Sequence, residues 1–145
     1  MPAAIVHLTI AAVWLGSMAY SMFVVQPRVA RFFTDESRRE EFLLVLAHGN
    51  RRGVVAVVTG LSLSAVAVMA TWPAVATAYA VALVPYAAAT GVFVNVSWRH
   101  WPARVFALPE ELPRFRRRLR AQAWAMLVLV GVAFALTLSA SVLRW

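Results

Sequence analysis

Long apolar stretches alternate with short arginine-rich ones along this chain. Four stretches carry no Asp, Glu, Lys or Arg: Ala3–Val25, Gly53–Thr71, Ala74–Trp98 and Ala121–Leu143. Each is long enough to cross the hydrocarbon core of a bilayer, which takes about 20 apolar residues. None alternates apolar and polar positions as a membrane strand does, and an open sheet edge finds no hydrogen-bond partners in lipid. The pattern therefore predicts an all-α, polytopic membrane protein: a four-transmembrane-helix bundle in one membrane domain, residues 1–145. Residues 26–52 and 99–120 connect the spans in pairs.

Within the spans, residues seven apart fall on nearly the same helical face. His7, Ala11, Trp14, Met18 and Ser21 form one seam on the first helix, with Gly16 beside it as a small residue for close packing. Arg52, Thr59, Ser62 and Met69 share a face on the second. On the third, Tyr79 and Tyr86 align, and Asn95 and Arg99 form a polar pair one turn apart. Gln122 and Met126 are the side chains of interest on the fourth. Pro85 predicts a kink in mid-span, and Pro27 a kinked or interfacial turn where the first helix leaves the membrane. Thr34 or Asp35 is placed to cap a helix that begins near Glu36 and runs into the second span; a break at Gly49–Asn50 is the alternative. Pro113 suits the first turn of the fourth helix. "TWPA", Thr71–Ala74, is a tight hairpin between the second and third.

Composition sharpens the membrane reading. Hydrophobic residues make up 62% of the chain and charged residues 14%, which is too apolar for an ordinary soluble domain. All 14 basic residues are arginine. Thirteen of them lie in the two connecting segments, and Arg144 alone at the other end of the bundle. By the positive-inside rule both segments are cytoplasmic, which predicts an N-out, C-out topology. The first span is preceded by no Lys or Arg and is longer than a signal peptide's apolar core, so it is expected to remain as a helix. The net charge of +8 is expected to meet anionic lipid headgroups rather than nucleic acid, since no aromatic stacking pattern accompanies "RFRRRLR", Arg114–Arg120. The lipid bilayer is thus the principal partner, with homo- or hetero-oligomers in the membrane a further expectation.

Three histidines carry the candidate chemistry. His7 lies about one turn inside the outer boundary, at about 1.5 Å of rise per residue. With Met69 at the same depth it offers an imidazole and a thioether, donors that suit copper as Cu(I); the competing role is a packing hydrogen bond. His48 and His100 lie near the cytoplasmic boundary, about 30 Å away across the core, so the three cannot share one metal. His48 and His100 could instead be the two axial ligands of a b-type haem, with Arg51, Arg52 and Arg99 on its propionates. The six acids, Asp35, Glu36, Glu40, Glu41, Glu110 and Glu111, all fall in the connecting segments. No carboxylate is left inside the spans for a proton relay or Na⁺. No nucleophile–base pair or phosphate loop appears, and there is no cysteine. An ion-coupled transporter and a hydrolase are both disfavoured.

"HLTIAAVWLGSMAYSMFVVQP" resembles the opening helix of the CopD-like group of small four-helix bacterial membrane proteins. The matching residues are His7, Trp14, Gly16 and Pro27. The resemblance implies a place in the bacterial cytoplasmic (inner) membrane and a role in copper uptake or resistance. The same His-to-Trp spacing resembles the first helix of the HemJ-type protoporphyrinogen oxidases, which implies haem and porphyrin oxidation. A third expectation, independent of either family, is a non-catalytic accessory subunit of a larger membrane complex.

Overall fold

A computed structural model describes residues 2–143; Met1, Arg144 and Trp145 lie outside the described residues. Four long helical runs dominate: α1 (Pro2–Phe32), α2 (Glu36–Thr71), α3 (Pro73–Val105) and α4 (Leu112–Val142). All four are long and apolar enough to span a membrane. α1 packs on α2 and α4, and α3 packs on the same two neighbours, so the helices form a square with α1 and α3 across one diagonal.

The surface of the square tells which solvent it suits. Val13, Phe23, Leu63, Val66, Val81, Val84, Val128 and Val132 all point outward and are exposed. A continuous apolar exterior of this kind is untenable in water and ordinary in lipid. The core is built from small residues instead: Ala4, Ala11, Ala65, Ala82, Ala89 and Ala133 are all at most 2% exposed. Lipid gives apolar side chains no reason to turn inward, so helices associate through close backbone approach, which alanine permits. Gly60 makes such an approach, because a Cβ there would meet Ile10 Cδ1 at 3.2 Å. Gly16 does not: it is exposed, and a Cβ would meet nothing within 4 Å. The expectation that it packs in the seam is corrected accordingly.

The helix ends follow local chemistry. Asp35 caps α2, its side chain accepting from the Ser37 N–H. α2 then runs unbroken through Gly49 and Asn50 for 36 residues. At about 1.5 Å per residue that is about 54 Å, well beyond a core of about 30 Å, so its first turns stand clear of the lipid. Trp72 alone separates α2 from α3. A 3₁₀ turn, Pro109–Glu111, leads into α4, with Pro113 in the first turn as expected.

Proline shapes α1 and α3 near their arginine-rich ends. The chain stays α-helical through Pro85. It widens to π geometry at Ser21–Val25 in α1 and at Val96–His100 in α3, each ending two residues before a proline, Pro27 and Pro102. The Gln26 N–H donates to the Ser21 carbonyl, and the Trp101 N–H to that of Val96. A proline has no N–H and its ring crowds the carbonyl four residues back; a widened turn relieves the clash without ending the helix. In the π register the Ser97 carbonyl faces Pro102, which has nothing to donate. Arg51 of α2 supplies the missing donor, its Nη2 lying 2.5 Å from that oxygen and its guanidinium 4.6 Å over the Trp98 ring.

Candidate functional site at the bundle centre

His7 is 1% exposed and sits where all four helices meet. Its Nδ1 lies 3.0 Å from Ser64 Oγ on α2. Its ring packs against two tyrosines of α3 across the diagonal, at centroid distances of 5.0 Å to Tyr79 and 5.8 Å to Tyr86. Tyr86 in turn stacks on Trp14, two turns along α1, at 6.2 Å with an 18° interplanar angle. α4 closes the site: the Tyr79 hydroxyl and Ser141 Oγ are 3.0 Å apart, and Ser141 donates to the Thr137 carbonyl. Every one of these side chains is less than 9% exposed.

The spacing explains why they converge. His7 and Trp14, Tyr79 and Tyr86 are each seven apart, so each pair stays on its helix's inward face. On α2 the buried positions are Leu61, Ser64, Ala65 and Val68, a stripe at i, i+3, i+4 and i+7 that carries Ser64 inward. On α4 the stripe is Met126, Val130, Ala133, Thr137 and Ser141. Sequence reading passed over Ser64, Thr137 and Ser141. Of the face drawn through Arg52, Thr59, Ser62 and Met69, the first three are in fact exposed and Met69 is half-buried.

One polar atom here is buried without a hydrogen bond, His7 Nε2. An unsatisfied buried polar atom costs about 1–3 kcal/mol, and a natural bundle seldom keeps one without a use for it. A lipid-facing groove of about 310 Å³ between α2 and α3 has Trp14 and Tyr86 among its walls. Met69 packs against the apolar layer next to the site, formed by Ala4, Ala65, Val68, Val75 and Tyr79. Among the described residues no three His, Asp or Glu side chains converge as a metal cage. The donor set is thus one imidazole with a thioether in the adjoining layer.

The other sequence candidates lie at the arginine-rich end. His100 is 5% exposed, its ring against Phe115 of α4 at 5.5 Å and Trp101 at 6.2 Å, with Nε2 unpartnered. His48 is exposed and turns its Nδ1 back to the Leu44 carbonyl of its own helix, at 3.0 Å. One ring faces outward and the other is enclosed, so they do not form the facing pair that bis-imidazole haem requires. Arg52 and Arg99 are exposed, and Asn95 is half-buried at the end of the α-helical part of α3.

A charged cluster at this end went unforeseen. Arg104 is buried and lies 2.5 Å from Glu40 on α2, with its guanidinium 5.0 Å over Trp101. Arg116 of α4 pairs with both Glu36 and Glu40. Three helices are therefore tied through two carboxylates. The arginines that remain on the surface, among them Arg114, Arg117 and Arg118, suit anionic headgroups.

Comparison of the chain with family models, with characterised proteins and with solved structures gives no match.

Proposed function

We propose that this chain is a CopD-like membrane protein that binds or passes copper as Cu(I), and that His7 is the side chain that takes the metal. One observation carries the reading. His7 Nε2 is a nitrogen donor buried at the centre of a four-helix bundle and left unpartnered by the protein. Cu(I) is a soft, singly charged ion for which imidazole and thioether are suitable ligands. A site without carboxylates suits one positive charge better than two, because nothing within it offsets a second. Met69 offers a thioether in the layer adjoining His7, and the resemblance of the first helix points the same way. The proposed setting is the bacterial cytoplasmic membrane, with both termini outside and the arginine-rich ends of the helices meeting the anionic inner leaflet.

The test is a single preparation in mild detergent, examined for metal content and by visible spectroscopy, followed by anaerobic Cu(I) titration. Stoichiometric Cu(I) binding that is lost in His7→Ala supports the proposal. Failure to bind Cu(I) refutes it. A Soret band in place of copper would transfer the function to haem, with His100 as the candidate ligand. A chain that carries neither would belong among accessory subunits.

A further inference from the structure

We infer that Ser64 is a positioning residue that fixes the tautomer of His7, so that Nε2 can only offer a lone pair; the inference rests on the reading of His7 as the ligand-binding side chain. A serine hydroxyl has one proton to give. Ser64 Oγ lies 3.1 Å from the Leu61 carbonyl of its own helix, an acceptor with nothing to donate, and its proton is assigned to that contact. Its other neighbour is His7 Nδ1 at 3.0 Å. With the hydroxyl proton committed, the hydrogen on that contact has to come from the imidazole. Nδ1 therefore donates to Ser64, and the neutral ring leaves Nε2 unprotonated.

The unpartnered atom fits this assignment. A buried N–H without an acceptor is rarer than an under-used acceptor, so the observed orphan is the cheaper of the two. The chemical consequence is selectivity. The enclosed Nε2 accepts an electron-pair acceptor, a metal cation or a strong hydrogen-bond donor, and refuses anions and carbonyl oxygens. Groups that hydrogen-bond the far nitrogen of a metal-binding imidazole commonly fix its tautomer in this way.

Imidazole ¹⁵N shifts of the metal-free protein, in detergent or nanodiscs, read the tautomer directly, His7 being assigned by the signals that vanish in His7→Gln. The expected result is Nδ1 protonated and Nε2 bare in the parent. In Ser64→Ala the two tautomers should mix, and in Ser64→Thr, which keeps the hydroxyl, the parent pattern should return. Cu(I) affinity, measured by competition with a colorimetric chelator, should fall about 10–100-fold in Ser64→Ala and recover in Ser64→Thr. A parent with the proton on Nε2, or a Ser64→Ala protein with an unchanged tautomer, overturns the inference. Should Ser64→Ala fail to fold, the parent spectrum alone still decides the tautomer. Absence of copper binding in the parent would refute the proposed function while leaving the ¹⁵N result intact, so the two failures are distinguishable.

Discussion

Replacing Glu40 by Gln should destabilise the bundle well beyond the same change at its neighbour Glu36. The side chains that lose a partner set the size of the effect. Arg104 is 4% exposed in its side chain and Glu40 18%, so the pair between α3 and α2 is largely withdrawn from water. Removing one member of a buried pair typically costs about 3–5 kcal/mol, because the survivor is left charged and unmatched. Here Arg116, 34% exposed, also rests on Glu40, and some water reaches it. A cost of about 2–3 kcal/mol is therefore expected for Glu40→Gln. Glu36 is 59% exposed and holds only the outer side of the same cluster, so Glu36→Gln should cost at most about 1 kcal/mol. Reversible unfolding in mixed micelles, driven by rising mole fraction of a denaturing detergent and followed by far-ultraviolet circular dichroism, measures both. Arg104→Met and the double variant Glu40→Gln/Arg104→Met complete a double-mutant cycle, in which the double should recover much of the loss. Equal costs for Glu36→Gln and Glu40→Gln, or additive effects of Glu40→Gln and Arg104→Met, would refute the account of this cluster as a buried clamp.

Three further outcomes follow from the packing. Tyr79→Phe removes the contact with Ser141 and should cost about 0.6 kcal/mol and at most about 1.7, read by the same unfolding assay. Arg51→Met strips the Ser97 carbonyl of its donor and should cost about 1.5–3 kcal/mol, with faster amide hydrogen exchange confined to the π turn of α3. Because the chain has no cysteine, single substitutions label cleanly: Ala74→Cys should react with a membrane-impermeant maleimide on intact cells, and Glu110→Cys only after permeabilisation. The reverse pattern would invert the proposed topology.

Much of the architecture was legible in the sequence because lipid imposes a one-dimensional rule. A span needs a run of uncharged residues of sufficient length, and the four runs stand out without knowledge of any neighbour. Cap and turn chemistry is equally local, which is why Asp35, the Trp72 hairpin and Pro113 were foreseeable, as were the inward seams His7–Trp14 and Tyr79–Tyr86. Which face of α2 points inward was not legible. An apolar face and a core face look alike when the solvent is also apolar, so Ser62 and Ser64 could not be ranked by hydropathy. Only the square packing of the four helices decided that Ser64 meets His7, that Thr137 and Ser141 close the site, and that His48 faces outward while His100 is enclosed. The same holds for Glu40 and Arg104, which lie far apart in the chain and are joined only by the extension of α2 beyond the lipid, where charge can be matched by charge.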